Sequence, residues 1–352
     1  MLSSLSIHRL RVPLRNSFKT SVRSAHELET VLVRLTDQHG RSGWGETPMS
    51  KVTGVSAEAS IRSLDGPLRA LLFATKSLEE ALAAVQHSPE PAAIRSALDC
   101  ALHDLLAQAA GVSLAARLGG QGLTVQTDMT LSVAAGAESV AKALEHLEQG
   151  FDCLKVKIGA EHDAVAALRA LRAAVGPRVM LRADANQAFQ PQEAIRVIRE
   201  LEDAGVNLSF VEQPVAAADL AGLARVNQAV ETPIMADESL WSLNDLQELL
   251  RLGAASMVNI KLAKTGGLSA ALELLNYARN EGLEVVIGCM LESQVGISAA
   301  ASLATVLPQR AQDLDGGLWL RESPVLGGVA YAGPEISLPD RPGLGIIGLQ
   351  GQ

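Results

Sequence analysis

Residues 153–158 read Cys153-Leu154-Lys155-Val156-Lys157-Ile158, a β-prone run that places two lysines between apolar neighbours. Similar runs recur as far as residue 315, and helical segments lie between them. The other members of the series are Val125–Leu131, Val179–Asp184, Leu208–Glu212, Ile234–Asp237, Met257–Lys261, Val285–Gly288 and Gln312–Asp315. Strands that alternate with helices in this way predict an α/β fold with a parallel barrel, although an open, doubly wound sheet shows the same alternation.

Polar or charged residues mark the end of each later strand. In chain order they are Lys157, Asp184, Glu212, Asp237, Lys261, Cys289 and Asp313, separated by steps of 24 to 28 residues. The carboxyl ends of all strands in a closed barrel meet at one mouth, whereas an open sheet spreads them along an edge. The regular placement of these residues therefore favours closure of the sheet.

The composition of the chain excludes several classes of protein. Its 352 residues carry a net charge of −9 and include only five Phe, three Trp and two Tyr, so neither phosphate contacts nor base stacking is favoured and a nucleic-acid partner is excluded. Arg9, Arg11 and Arg15 stand where a signal peptide would need an apolar run. Three cysteines without a CxxC spacing predict reduced thiols, so we expect a cytoplasmic protein without a membrane partner. The oligomeric state stays open, a homo-oligomer included.

The first part of the chain has a different pattern. Thr30–Leu35 alternates apolar and polar residues, a turn follows at Asp37–Gly40, and Gly43–Glu46 is predicted as the second strand of a hairpin. Helices are predicted at Leu78–Gln86 and Pro91–Ala110. Strands followed by helices, without alternation, indicate a separate α+β module.

Three carboxylates at consecutive strand ends predict a metal site. Asp184, Glu212 and Asp237 each follow an apolar run, and carboxylates gathered at one mouth raise one another's pKa. A hard divalent cation removes this conflict, and an all-oxygen site with open positions suits Mg²⁺. Each carboxylate alone is equally typical of a helix N-cap or a salt-bridge partner, but three at matched positions favour the metal.

The lysines predict an acid/base pair. Lys155 and Lys157 alternate with Val156 and so point to the same face of their strand. Lys261 ends a strand on the far side of the ring from Lys157. A lysine becomes a useful base when a neighbouring cation lowers its pKa, and Lys155 is such a neighbour for Lys157. Bases on opposite faces of a carbon can remove a proton from one face and return it on the other. Solvated surface lysines are the alternative, which their apolar strands disfavour.

Five motifs in this part of the chain resemble those of a known family in both order and spacing. They are Lys155-Val156-Lys157, Asp184-Ala185-Asn186, Glu212-Gln213-Pro214, Ala236-Asp237-Glu238-Ser239 and Asn259–Gly267. Together they resemble the motif series of the enolase superfamily, specifically its muconate lactonizing enzyme subgroup. Ser96–Asp104 is similar to a helix of that subgroup's capping domain, so the resemblance covers nearly the whole chain.

The resemblance implies a fold and a set of active-site roles. The fold is a (β/α)7β TIM-like barrel in residues 123–322 under an α+β capping domain in residues 1–122, to which residues 323–352 return. The implied cofactor is Mg²⁺ on Asp184, Glu212 and Asp237. Lys157 and Lys261 are the implied acid/base pair, acting through an enediolate intermediate.

The reaction itself depends on residues outside this shared core, because the subgroup contains several activities. Asp313-Leu314-Asp315 resembles the Asp-x-Asp motif with which dipeptide epimerases hold the α-ammonium of the substrate, and Arg23 resembles an arginine that pairs with a substrate glutamate. Lys155 is predicted to contact the developing oxyanion, and Glu292 to line the pocket or hydrogen-bond a neighbour. We therefore expect an isomerase that epimerises the C-terminal residue of a dipeptide, L-Ala-D/L-Glu. N-acylamino acid racemase and o-succinylbenzoate synthase remain alternatives.

Overall fold

The computed structural model describes residues 1–19, 24–132, 136–159 and 163–351. Its N-terminal part is an antiparallel sheet of β1 (Leu2–Lys19), β2 (Ser24–Asp37) and β3 (Ser42–Pro48), in that spatial order. The predicted hairpin is confirmed, because Leu35 lies opposite Gly43 and Val31 opposite Thr47. Strand β1 was not predicted from the sequence; it pairs with β2 along most of its length.

Helices cover one face of this sheet and complete an α+β capping domain. They are α1 (Ala57–Asp65), α2 (Pro67–Phe73), α3 (Leu78–Gln86), α4 (Ala92–Ala110) and α5 (Leu114–Arg117). The two predicted helices correspond to α3 and α4, and α4 ends at Gly111, whose left-handed φ of 72° suits glycine. None of the helices in the described ranges combines the length and apolar character needed to cross a membrane.

The predicted strand Val125–Leu131 is in fact divided in two. Strand β4 (Thr124–Gln126) pairs with a C-terminal strand, Val125 lying opposite Ile336, and only β5 (Met129–Leu131) belongs to the barrel. The division occurs where the backbone changes partner: Thr127 N donates to Pro334 O, but Asp128 N donates to Gln312 O. Alternation of residue types within one strand carries no information about such a change of partner.

The remaining barrel elements alternate as the sequence predicts. The strands are β6 (Cys153–Lys157), β7 (Met180–Asp184), β8 (Leu208–Glu212), β9 (Ile234–Ala236), β10 (Met257–Lys261) and β11 (Glu284–Gly288). The helices are α6 (Gly136–Glu148), α7 (Ala164–Val175), α8 (Pro191–Asp203), α9 (Leu220–Ala229), α10 (Leu243–Leu252), α11 (Leu262–Thr265), α12 (Leu268–Asn280) and α13 (Gln294–Ala304). Neighbouring strands from β5 to β11 pair in parallel.

A short eighth segment closes the barrel. Gly288 at the end of β11 forms a parallel bridge with Asp313, and Thr127 beside β5 forms one with Gln312. Backbone hydrogen bonds on both sides fix this segment, since Asp313 N donates to Ile287 O and Gln312 N to Gln126 O. The first and last strands are therefore joined, and an open doubly wound sheet is excluded.

The C-terminal residues add four short strands outside the barrel. They are β12 (Val325–Gly327), β13 (Ala330–Ala332), β14 (Glu335–Ser337) and β15 (Ile346–Leu349). Strands β12 and β15 pair with each other, and their residues Val325 and Leu349 share an apolar cluster with Leu32 and Trp44 of the capping domain. This contact joins the end of the chain to its beginning.

Polar contacts from α3 and α4 hold the capping domain over the barrel. Asp99 accepts a hydrogen bond from Ser269 N at 3.1 Å, and His103 Nε2 lies 2.9 Å from Ser269 Oγ. Gln86 Nε2 donates to Gly266 O at 2.8 Å. These partners lie between β10 and the start of α12, so the capping domain is fixed at the carboxyl ends of the strands.

The close packing of β3 on α4 gives a test of the capping domain. A Cβ at Gly45 would lie 1.8 Å from Ala97 O, which is backbone and cannot move aside, so Gly45→Ala should lower the free energy of unfolding by about 1–3 kcal/mol. Gly348→Ala is the matched control, because a Cβ there meets nothing within 4 Å. Chemical denaturation followed by circular dichroism measures both, and equal midpoints for the two variants would contradict this packing.

Candidate active site

Two lysines from β6 point into the mouth of the barrel. Lys157 lies opposite Asp184 in the register of β6 and β7, and its Nζ donates to Asp184 Oδ2 at 2.6 Å. Lys155 Nζ lies 3.0 Å from Asp184, 2.6 Å from Glu212 and 2.9 Å from Asp313. One buried ammonium therefore stands between carboxylates from β7, β8 and the closing segment.

Lys261 occupies the other side of the mouth. Its Nζ donates to Asp237 Oδ2 at 2.8 Å and lies 3.9 Å from both Glu212 Oε1 and Asp313 Oδ2. Lys264, which the sequence predicts to support the site from behind, is fully buried beneath Asp237 and donates to its backbone oxygen and to Oδ1. The structure therefore brings together the lysines and carboxylates that the sequence predicted at separate strand ends.

The ammoniums decide the ionisation of the carboxylates. Burial by itself raises the pKa of Asp184, but the charges of Lys157 and Lys155 outweigh it and hold the pKa below its usual value. The pKa of Asp237 is lowered in the same way, with Lys261 as the main opposing charge to burial. Burial and the neighbouring Asp184 instead raise the pKa of Glu212 to about 8.

The carboxylates in turn decide the ionisation of two lysines. Burial lowers the pKa of Lys155, but Asp313 and Glu212 reverse this effect and raise it well above its usual value. Asp237 likewise raises the pKa of Lys261 against the effect of burial. A lysine that accepts a proton needs a lowered pKa. Lys261 is therefore held as an ammonium for as long as its carboxylate partners carry their full charge.

Asp313 and Asp315 lie side by side at the end of the closing segment. Asp315 Oδ2 accepts hydrogen bonds from Thr130 N at 2.8 Å and Trp319 Nε1 at 3.0 Å. Burial, together with the charge of Asp313, raises the pKa of Asp315, whereas Lys155 lowers that of Asp313. Both carboxylates border the same cavity as the lysines, and their contact with a substrate ammonium stays a prediction.

Asp128 is a third carboxylate at this position that the sequence analysis missed. With Asp313 and Asp315 it forms a group whose ligand atoms all lie within 4.8 Å of one another, the one such group of three among the described residues. Arg182 Nη1 donates to Asp128 Oδ2 at 2.6 Å and to Gln312 O at 3.2 Å. This guanidinium neutralises Asp128 and ties β7 to the closing segment.

The capping domain supplies one wall of the cavity. Phe18, Ser50, Lys51 and Val52 line it opposite the barrel residues, and Phe18 packs edge-on against Trp319 with ring centroids 4.9 Å apart. Arg23, predicted to bind a substrate side chain, lies outside the described residues.

Two buried amides position the site and were also missed. Asn259 Nδ2 donates to Glu212 at 3.0 Å and to Asp313 at 3.1 Å, so it joins two carboxylates from opposite sides of the ring. Gln213 has a left-handed φ of 37°, and its Oε1 accepts hydrogen bonds from Asp237 N and Ser239 N. Strained backbone of this kind concentrates at functional sites, but a one-letter sequence does not reveal it.

Glu292 is buried but is not among the residues that line the cavity. Its Oε1 accepts a hydrogen bond from Met290 N at 2.8 Å, and burial together with the charge of Glu46 in the capping domain raises its pKa. The neighbouring residues Met290 and Leu291 do line the cavity. A substrate contact by Glu292 stays a prediction, and its hydrogen bond to a neighbour is observed.

The Asp128–Arg182 pair yields a stability prediction. Arg182→Leu should lower the free energy of unfolding by about 3–5 kcal/mol, because it leaves a buried carboxylate unpaired. Burial already raises the pKa of Asp128 to about 7, so the loss should be greater at pH 8 than at pH 6. Arg196→Ala, which breaks an exposed pair with Glu200, should change stability by less than about 1 kcal/mol. Similar midpoints of thermal unfolding for both variants would contradict the structural role of Arg182.

Comparison with known families assigns both parts of the chain. Residues 138–347 match the family described as enolase C-terminal domain-like, and residues 4–119 match the mandelate racemase / muconate lactonizing enzyme, N-terminal domain. The chain is 41% identical to an L-Ala-D/L-Glu epimerase of Bacillus subtilis over 97% of this chain and 95% of that protein. It is 34% identical to a hydrophobic dipeptide epimerase of Enterococcus faecalis, over 98% of this chain and 99% of that protein.

Solved structures give the same assignment. A substrate-liganded complex of the Bacillus subtilis L-Ala-D/L-Glu epimerase superimposes with a TM-score of 0.95, at 40% identity and 99% coverage of both chains. The Enterococcus faecalis dipeptide epimerase, complexed with Mg and the dipeptide L-Leu-L-Tyr, superimposes with a TM-score of 0.91 at 33% identity, covering 98% of this chain and 99% of that one. The chain therefore belongs to the enolase superfamily, in its mandelate racemase and muconate lactonizing enzyme subgroup, as a dipeptide epimerase.

Proposed function

We propose that the protein epimerises the C-terminal residue of a dipeptide, L-Ala-D/L-Glu, by a 1,1-proton transfer at its α-carbon. The observation that carries the proposal is the placement of Lys157 and Lys261. They project into one cavity from the second and the sixth barrel strands, which lie opposite each other in a ring of eight. A substrate α-carbon placed between them would have the Lys157 side chain on one face and the Lys261 side chain on the other.

The carboxylates that lie between the two lysines are suitable ligands for Mg²⁺. Asp184, Glu212 and Asp237 present carboxylate oxygens at adjacent strand ends, and such hard donors are those that Mg²⁺ prefers. Two further buried oxygens, Asn186 Oδ1 and Glu238 Oε2, lack a hydrogen-bond partner within the described part of the chain. The Enterococcus faecalis relative is complexed with Mg, which supports the assignment. When bound, the ion would stabilise negative charge that develops on a substrate carboxylate.

The lysines would then exchange the proton. With a cation held by the three carboxylates, the charge that now raises the pKa of Lys261 would be offset, and this lysine would lose its proton more readily. One lysine, as the amine, accepts the α-proton, and the other, as the ammonium, delivers a proton to the opposite face. Lys155 stays an ammonium because Asp313 still pairs with it, and it offsets the negative charge on the substrate.

The two ends of the substrate have separate partners in this proposal. Asp313 and Asp315 offer negative charge to the α-ammonium of the N-terminal residue, a group that N-acylated amino acids lack. Arg23 is proposed to pair with the side-chain carboxylate of a C-terminal glutamate. The relatives of this chain include both L-Ala-D/L-Glu and hydrophobic dipeptide epimerases, and the preference for glutamate rests on Arg23.

The proposal is tested by proton NMR of the purified protein with Mg²⁺ in D₂O. L-Ala-L-Glu should lose the α-proton signal of its glutamate while signals of the diastereomer appear. L-Leu-L-Tyr and N-succinyl amino acids serve as comparison substrates. Exchange confined to the N-succinyl compounds would identify an N-acylamino acid racemase, and exchange confined to L-Leu-L-Tyr would overturn the role of Arg23. Dehydration of an o-succinylbenzoate precursor with no exchange in any dipeptide would identify the synthase.

Lysine variants test the two-base arrangement. Lys157→Ala and Lys261→Ala should each lower the epimerisation rate by at least about 100-fold, because each removes the acid or base on one face. Each variant should still exchange the α-proton of one stereoisomer. Lys142→Ala, which alters an exposed lysine paired with Glu145, should retain the original rate. Full epimerase activity in either cavity variant would contradict the arrangement.

Thermal unfolding locates the metal site. Mg²⁺ at 100 times its dissociation constant should stabilise the protein by about 2.7 kcal/mol. Asp184→Asn should abolish this metal-dependent rise in Tm, and Asp315→Asn should preserve it. The reverse result would move the metal to the group of Asp128, Asp313 and Asp315.

A further inference from the structure

Glu46 is a buried carboxylate at the contact between the two domains. It belongs to β3 of the capping domain, is 5% exposed, and reaches the first turn of barrel helix α13. Its carboxylate accepts hydrogen bonds from Ser293 N at 2.9 Å, Ser293 Oγ at 2.6 Å and Gly296 N at 2.9 Å. Burial raises the pKa of Glu46, but these donors and the N-terminus of α13 act against that effect and favour its negative charge.

Glu292 lies beside Glu46 at the same helix terminus. A Cβ built on Gly296 would lie 2.1 Å from Glu292 Oε2 and 3.1 Å from Glu46 Oε2, so these two oxygens are close neighbours. Glu292 is 4% exposed, and the hydrogen bond found for it comes from Met290 N at 2.8 Å. Two carboxylates this close and this buried are stable together only when one of them holds a proton.

The surroundings assign that proton to Glu292. Among the other charged groups, Lys261 of β10 acts to lower its pKa, and the charge of Glu292 itself acts to raise the pKa of Cys100 of α4, Cys289 after β11 and Tyr331 of β13. Lys261 is the one cation among these groups, and Asp237 already pairs with it. Burial, together with the charge of Glu46, raises the pKa of Glu292 to about 8.

We propose that Glu46 and Glu292 form a proton-sharing carboxyl pair that anchors the capping domain to the barrel and holds the cavity wall at Met290 and Leu291. With the proton in place, Glu46 keeps its charge at the α13 terminus and Glu292 holds the backbone of Met290. Without it, two buried like charges repel across the domain contact. The wall of the active-site cavity therefore responds to pH through this pair.

The methyl signal of Met290 tests the pair without any measurement of activity. In protein labelled with ¹³C-methyl methionine, this signal, assigned with Met290→Leu, should shift with a midpoint near pH 8 and should lose that transition in Glu292→Gln. Met180, exposed on the distant end of β7, is the internal control. A midpoint that stays in Glu292→Gln, or no transition between pH 6 and pH 10 in the unaltered protein, would overturn the proposal.

The variant Glu46→Gln tests whether Glu46 and Glu292 share one proton. Removal of its negative charge should move the Met290 midpoint to lower pH, because ionised Glu292 then has no like charge beside it. The exposed Glu335→Gln is the matched control and should leave the midpoint unchanged. A midpoint that Glu46→Gln does not move would show that the two groups titrate independently and would overturn the pair.

Thermal stability gives a second, independent readout. The folded-state pKa of Glu292 lies above its unfolded value, so its stabilising contribution is complete at low pH and is lost as the pH rises towards about 8. The Tm of Glu292→Gln relative to the unaltered protein should therefore rise between pH 5 and pH 8.5, by about 2–5 °C. A difference in Tm that stays constant over this range would contradict a protonated Glu292.

Discussion

The Lys155 ammonium lies where β6, β7, β8 and the closing segment meet, within 3.0 Å of carboxylate oxygens from Asp184, Glu212 and Asp313. Carboxylates drawn into one buried space repel, and each costs several kcal/mol to remove from water unless an opposite charge lies nearby. Lys155 supplies that charge at the centre of the ring. The barrel can therefore close with acidic residues on its inside, and the acidic mouth on which the chemistry depends is compatible with a folded protein.

The other charges are arranged around this centre in pairs. Lys157 and Lys261 neutralise Asp184 and Asp237 on opposite sides, and Arg182 neutralises Asp128. In the proposed function, these carboxylates would hold a divalent cation that takes over part of this neutralisation. The carboxylates that would hold the metal are therefore the same ones that hold the lysines in place, so metal binding would also make it easier for a lysine to lose its proton.

The capping domain depends on close approach as well as on charge. Glycines at 43 and 45 let β3 lie directly against the backbone of α4, and Glu46 on the same strand reaches across to the barrel. The cavity lies between the two domains, with Phe18 and Lys51 on one wall and the lysine pair on the other. Relatives that share this fold include an L-Ala-D/L-Glu epimerase and a hydrophobic dipeptide epimerase, so the fold alone does not determine which dipeptide is the substrate.

The sequence by itself determined the order of the elements and the chemistry of the strand ends. Apolar runs that end in Lys157, Asp184, Glu212, Asp237 and Lys261 at steps of 24 to 28 residues predict a barrel with these groups at one mouth. The hairpin at residues 30–46 and helices α3 and α4 were also predictable, because local periodicity and turn residues specify them. Strand β1 and the division of residues 125–131 were not, since strand partners are chosen by distant parts of the chain.

Only the tertiary structure decided which charges meet. Asp128 with Arg182, Asn259 between Glu212 and Asp313, and Glu46 beside Glu292 are contacts between residues far apart in the chain. Which of these residues meet depends on how the barrel closes and on where the capping domain packs against it. A sequence pattern gives neither of these. The sign of a pKa shift depends on the same distances, because burial and nearby charge act in opposite directions and only geometry shows which is larger.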